Sequence, residues 1–368
     1  MTLVLFAAGV VALVVGAELL VRGASKLAVS FGLSPLVVGL TIVALGTSSP
    51  EIAVSVGAVL GGKTDVAIGN VVGSNIFNVL FILGVSALIT PLAVHSQLIR
   101  QEVPIMIGCS LLLAVLVLDR QLGRLDAALL VATAVAYVGF LLWQSRARSQ
   151  RDPARDAAAQ ASPADALTRA ARSGWDSHWA AQAGLIAAGL AGLVFGAQLL
   201  VDAAVTFARA VGVSDLVIGL TIVAAGTSLP EVAASVVAAW RGERDIAVGN
   251  VVGSNILNIV ACLGLAGVVS PAPLSIAPAV MNFDLWVMLA VAVACLPVLL
   301  TGREIARWEG AVFLGYYAAY AAYLVLAAQQ HDALAAYSSV MLSFVLPITI
   351  VTLVAMTIRH PVRRTAAR

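Results

Sequence analysis

A stretch of 46 residues occurs twice in this chain, and an odd number of apolar runs separates one copy from the next. Residues 39–84 align on 219–264 without a gap, and 29 of 46 positions are identical. Gly69-Asn70-Val71-Val72-Gly73-Ser74-Asn75-Ile76 recurs unchanged at 249–256, and the register extends to Gly16-Ala17 against Gly196-Ala197 and to Pro91 against Pro271. Apolar runs lie at 3–21, 35–60, 66–90, 102–118, 125–143, 180–201, 214–240, 246–269, 280–300, 308–328 and 337–358. All eleven approach or exceed the length that crosses a hydrocarbon core of about 30 Å. With 61% hydrophobic and 11% charged residues, no soluble fold could bury the apolar surface. Strands of a membrane barrel would alternate polar and apolar, and these runs do not. The fold class is therefore an all-α polytopic membrane protein.

Each repeat holds five runs, so the second copy enters the membrane from the opposite side. The reading is an inverted 5+5 repeat with an extra C-terminal helix, about eleven spans in all. Residues 1–143 form the first repeat, 144–178 a linker, 179–328 the second repeat, and 329–368 the eleventh span and a basic tail. Inverted repeats are the architecture of secondary transporters, which hold their substrate near the midplane between the halves. The linker is polar and contains Pro153 and Pro163; a surface helix is expected near Ala164–Ser173. With the N-terminus outside, 17 of the 21 Lys and Arg fall on the inner side, and only Lys63, Arg120, Arg124 and Arg209 on the outer. That places the linker and the C-terminus in the cytoplasm and the chain in the cell (inner) membrane. A net charge of +2 gives no reason to expect nucleic acid. Cys109, Cys262 and Cys295 read as packing residues.

Chemistry concentrates in two motifs, each present twice. The first is Gly46-Thr47-Ser48-Ser49-Pro50-Glu51, repeated as Gly226-Thr227-Ser228-Leu229-Pro230-Glu231. Proline inside a helix removes a hydrogen bond and frees carbonyls about one turn upstream. Free carbonyls at membrane depth need a partner, and an acid follows each proline. The second motif is Gly73-Ser74-Asn75-Ile76-Phe77-Asn78, repeated as Gly253-Ser254-Asn255-Ile256-Leu257-Asn258, and it is read as a second broken span. Ser74 and Asn78, like Ser254 and Asn258, are four apart and share a helix face.

Glu51 and Glu231 have no basic residue in their own spans, and intramembrane acids of this kind are functional by default. Together with Asn78, Asn258, Thr47 and Thr227 they predict an all-oxygen cage of charge −2. A hard cation suits it, Ca²⁺ above all; soft metals do not, because neither motif holds Cys or His. Asn75 and Asn255 are expected to brace the broken backbone, Asn70 and Asn250 to cap helices, and Glu18 to pair with Arg22 one turn on. No cofactor is expected.

The two motifs resemble the α-repeats of the calcium/cation antiporter superfamily, in particular its sodium/calcium exchanger branch in small prokaryotic form. The resemblance covers ten of the eleven spans. It implies an electrogenic antiporter, not an enzyme, that exchanges Na⁺ for Ca²⁺ by alternating access, the first and sixth helices sliding over the rest. It implies a central site of Glu51, Asn78, Glu231 and Asn258. It also implies flanking Na⁺ sites: Ala44, Thr47, Ser48 and Ser74 on one side, and Ala224, Thr227, Ser228 and Ser254 on the other. Some relatives carry Asp where Asn258 stands; the amide argues against potassium dependence. The rival readings are a proton-coupled Ca²⁺ antiporter on the same fold, a cation channel and an intramembrane enzyme. Hydroxyls and carbonyls flanking the acids favour Na⁺ over protons. A single enclosed site between inverted repeats disfavours a channel, and no nucleophile accompanies the acids.

Overall fold

The computed structural model describes residues 2–31, 33–151, 178–210, 224–300 and 302–359. Helix α1 spans Thr2–Phe31. A pair follows, α2 (Pro35–Thr47) and α3 (Ser49–Leu60), bent by 42°. Helices α4 (Thr64–Ile89), α5 (Leu98–Leu116) and α6 (Arg124–Arg151) complete the first repeat. The second contains α7 (Trp179–Ala210), α8 (Leu229–Trp240), α9 (Arg244–Val269), α10 (Val280–Leu300) and α11 (Arg307–Ala328). Helix α12 begins at Ala333 and ends at Arg359. Among the described residues, nine helices are long and apolar enough to cross a membrane, and the bent pair makes a tenth span. Helix α8 is the described half of the seventh apolar run. Residues 214–223 and the expected linker helix near 164–173 lie outside the described residues.

Helices α1 and α7 run well past their apolar runs. The runs at 3–21 and 180–201 stop at charged residues, whereas α1 carries Arg22 and Lys26 within it and α7 carries Asp202 and Arg209. A helix ends where its backbone is stopped, not where its polarity changes. After α1 the stop is the Ser34-Pro35 pair. Pro35 takes the first position of α2, and Ser34 Oγ accepts from the amide of Val37 at 3.2 Å.

Four two-residue strands sit in the connections: β1 (Leu92–Ala93), β2 (Gln121–Leu122), β3 (Leu274–Ser275) and β4 (Glu304–Ile305). β1 pairs with β4 and β2 with β3, both antiparallel. Each ribbon thus joins one connection of the first repeat to one of the second. The pairing places the α4–α5 and α10–α11 connections on one face, and the α5–α6 and α9–α10 connections on the other. That is the alternation an inverted repeat requires. Glu18 and Arg241 also meet in an ion pair, tying α1 to the end of α8.

Helices α1 and α7 pack along their length through glycine. A Cβ built on Gly189 would stand 2.6 Å from the amide nitrogen of Leu20 and 2.8 Å from the carbonyl of Gly16, and one on Gly16 would stand 2.7 Å from Leu193 N. Small residues are what permit such backbone approach between membrane helices. At the other extreme of the fold, α12 lies at the periphery. It has no buried residue in its first two turns, and Tyr337 reaches back to the Ala319 carbonyl of α11 at 2.7 Å.

Candidate ion-binding site

Glu51 stands in the first turn of α3 and Glu231 in the first turn of α8, each directly after the helix-breaking proline. Both are completely buried. The break after Thr47 is where the sequence places it. The second motif behaves differently. Instead of a break, α4 and α9 run on through it, each with a π-helical turn over Asn78–Leu83 and Asn258–Leu263. The expectation of a second broken span is corrected: no proline stands there, so the helix absorbs one extra residue per turn instead of parting. Such turns are frequent at functional positions.

The side chains meet across the pseudo-two-fold axis. Ser228 Oγ donates to Glu51 Oε1 at 2.9 Å, and Ser48 Oγ donates to Glu231 Oε1 at 3.1 Å. Ser228 Oγ also lies 3.1 Å from Ser74 Oγ. The serine of each break therefore serves the glutamate of the other repeat. This revises the expected division of flanking residues by repeat: Ser228 belongs with Glu51 and Ser74, and Ser48 with Glu231. Thr47 Oγ1 donates to Asn250 Oδ1 at 3.1 Å and Thr227 Oγ1 to Asn70 Oδ1 at 3.4 Å. The Ala44 carbonyl, near the end of α2, takes the amide of Ser48 at 3.0 Å. Ala224 lies in a helical stretch, Ala224–Gly226, just before the second break.

Five buried oxygens here have no hydrogen-bond partner: Glu51 Oε2, Glu231 Oε2, Asn78 Oδ1, Asn258 Oδ1 and Ser254 Oγ. In a folded interior more than nine in ten buried polar groups are paired. Four of the five come from matched positions of the two repeats, Glu51 with Glu231 and Asn78 with Asn258. Two carboxylate oxygens and two amide oxygens left free in one enclosed region form a set of hard donors, the kind a divalent or alkali cation takes.

Sequence reasoning misplaced two further pairs. Asn70 and Asn250 are not caps. They sit within α4 and α9, where Asn70 Nδ2 reaches Ser55 Oγ at 3.1 Å and the Glu51 carbonyl at 3.4 Å. Asn250 repeats both contacts with Ser235 at 2.9 Å and Glu231 at 3.4 Å. Each thus holds the helix that carries the acid, and its Oδ1 takes the threonine of the opposite repeat. The signal was available: an asparagine recurring in the middle of both helices, far from any end to cap. Asn75 and Asn255 likewise do not brace a broken backbone. Each donates to the other's carbonyl, at 3.1 and 3.3 Å. Two carboxylates that the sequence reading passed over lie outside the cage. Glu102 accepts from Tyr137 at 3.0 Å and Asp284 from Tyr320 at 2.9 Å. The three cysteines are buried and free, and Cys262 Sγ lies 3.3 Å from the Glu51 carbonyl.

Known proteins match this arrangement. The family model described as sodium/calcium exchanger protein matches residues 1–144 and 181–326. The putative antiporter CaxA of Alkalimonas amylolytica is 39% identical, over 84% of this chain and 95% of its own length. The sodium/calcium exchanger MaX1 of Methanosarcina acetivorans is 35% identical, over 85% of this chain and 95% of its own. Among solved structures, the sodium-calcium exchanger NCX_Mj superposes with a TM-score of 0.71 at 28% identity, over 89% of this chain and 97% of that one. The matched residues include both breaks, both π-turns and all four residues with free carboxylate or amide oxygens, and the chain belongs to the sodium/calcium exchanger protein family.

Proposed function

We propose that this protein is a secondary antiporter that exchanges Na⁺ for Ca²⁺ across the cell membrane and extrudes Ca²⁺. The observation that carries the reading is the two-fold set of unclaimed buried oxygens on Glu51, Asn78, Glu231 and Asn258. Ca²⁺ takes these four at the centre. Na⁺ ions share the glutamates: beside Glu51 one draws on Ser74, Thr227, Ser228 and Ala224, and beside Glu231 the other draws on Thr47, Ser48, Ser254 and Ala44. Because the two ions compete for the same carboxylates, they occupy the site in turn. An empty site would carry two buried charges into a low-dielectric enclosure, which is costly, so closure waits for an ion. That penalty makes exchange faster than leak.

The N-terminus lies outside and the linker and C-terminus are cytoplasmic, in keeping with the distribution of Lys and Arg. The site is complete within one chain and needs no cofactor. The experiment is uptake of radioactive calcium into vesicles reconstituted with the protein, with sodium and pH gradients imposed separately. Uptake that requires internal Na⁺ and rises when the interior is made positive supports electrogenic sodium coupling. Uptake that follows the pH gradient and ignores Na⁺ overturns it in favour of proton coupling.

A further inference from the structure

We infer that Asn75 and Asn255 are positioning residues that fix which end of the central amides faces the ion, and so hold the charge of the site at −2. The inference rests on the ion site proposed above. An asparagine amide presents an oxygen or an NH₂ group with nearly the same shape, so only its hydrogen-bond partners decide which. A cation accepts the oxygen and is repelled by the NH₂. Asn78 Nδ2 donates to Asn255 Oδ1 at 3.0 Å, and Asn258 Nδ2 donates to Asn75 Oδ1 at 3.2 Å. Each central amide therefore has its nitrogen tied back, and its Oδ1 is left free and buried.

What fixes the fixers is the backbone. Asn255 Nδ2 donates to the carbonyl of Asn75, and Asn75 Nδ2 to the carbonyl of Asn255. A carbonyl oxygen is only an acceptor, so neither amide can turn over without setting oxygen against oxygen. The order runs from a backbone carbonyl of one repeat, to a side chain of the other, and back to the ligand of the first. All four asparagines are buried, so no solvent relieves a wrong choice. The same relay disfavours a carboxylate at 258. An ionised oxygen there would face Asn75 Oδ1, which cannot donate. Asn75 and Asn255 thus determine specificity: they keep positions 78 and 258 neutral and oxygen-first.

The relay crosses between repeats, and that gives a test that general structural damage would not mimic. Calcium affinity of the purified full chain is measured by equilibrium binding in double-mutant cycles. Asn75→Ala frees the Asn258 amide to turn, and should weaken Ca²⁺ about tenfold, the scale of a lost buried hydrogen bond plus a misdirected dipole. In an Asn258→Ala background nothing is left to orient, so the same change should cost less than about twofold. In an Asn78→Ala background the tenfold loss should remain, because Asn78 answers to Asn255. The mirror cycles, Asn255 with Asn78 and with Asn258, should give the reversed pattern. Equal coupling within and across repeats, or additivity in every cycle, overturns the inference. Failure of both Asn75→Ala and Asn255→Ala to yield monodisperse protein also overturns it, since it assigns these residues a structural role. Glu51→Gln in the same assay separates this inference from the ion site. If that variant binds Ca²⁺ normally, the site itself is wrong; if it loses binding while the cycles are additive, only the relay is wrong.

Discussion

Replacing Glu51 by Gln changes one atom, and the structure says which way the new group points. Ser228 donates to Glu51 Oε1, so the glutamine oxygen stays there and its NH₂ falls where Oε2 is free. The perturbation thus removes one charge and turns a donor dipole on the ion. Two unit charges about 4 Å apart attract by about 4 kcal/mol at an effective dielectric of about 20, and a divalent ion gains about twice that. Part is returned, because enclosing the carboxylate itself costs several kcal/mol that glutamine does not incur. A net loss of roughly 3–4 kcal/mol for Ca²⁺ corresponds to about 10²–10³-fold in affinity. The same subtraction leaves little for a single Na⁺, whose gross attraction is half as large. Glu51→Gln should therefore weaken calcium binding by about 10²–10³-fold while sodium affinity falls far less. Glu231→Gln should match it, because Ser48 holds Glu231 Oε1 as Ser228 holds Glu51. The assay is equilibrium binding of radioactive calcium with sodium titrated as competitor. An equal loss for both ions would refute the charge argument. A large effect at one glutamate and none at the other would refute the two-fold centre.

Asn258→Asp should make calcium binding fail at acidic pH that the parent tolerates, since a third carboxylate in the cage favours protons over a second metal charge; superimposable pH profiles would show that position 258 does not face the ion. Ser228→Ala should weaken ion binding more than Ser49→Ala, because Ser228 touches Glu51 and Ser74 while the Ser49 hydroxyl donates to the Leu45 carbonyl one turn back and touches neither, and competition binding of the two ions would measure both. Gly189→Ala should cost about 1–3 kcal/mol of stability, the usual scale of overpacking, because its Cβ would meet backbone of α1 at 2.6 Å. Gly57→Ala, with nothing within 4 Å, serves as the control in thermal unfolding of the detergent-solubilised protein.

The architecture was legible because it depends on length, polarity and parity. Eleven apolar runs, one shift of 180 residues and a bias in basic residues give an inverted repeat with no knowledge of contacts. The acids were legible for a similar reason: a carboxylate beside a proline in a long apolar run has few other uses. What stayed hidden is what the fold juxtaposes. Asn75 and Asn258 are 183 positions apart in the chain, and so are Ser48 and Glu231. Nothing local distinguishes an asparagine that orients a ligand from one that packs. The second motif was misread because Gly, Ser and Asn together suggest a break, whereas breaking a membrane helix takes a proline or a chain stop. Glu102 and Asp284 escaped notice because each begins a span, where a charge looks like a boundary; both are tied down by a tyrosine hydroxyl from the following helix.

The two ribbons bear on how the chain is assembled. Each pairs a strand from the first repeat with one from the second, and Leu92, Leu122, Leu274 and Ile305, one per strand, are fully buried. During synthesis the first repeat is finished before β3 and β4 exist. Until they arrive, β1 and β2 have unmatched edges, with Leu92 and Leu122 uncovered. The second repeat is therefore needed to close the strand edges and cover the leucines of the first. A polypeptide cut within the linker should still recover its native form when both fragments are made in the same cell, and neither fragment should survive quality control when made alone.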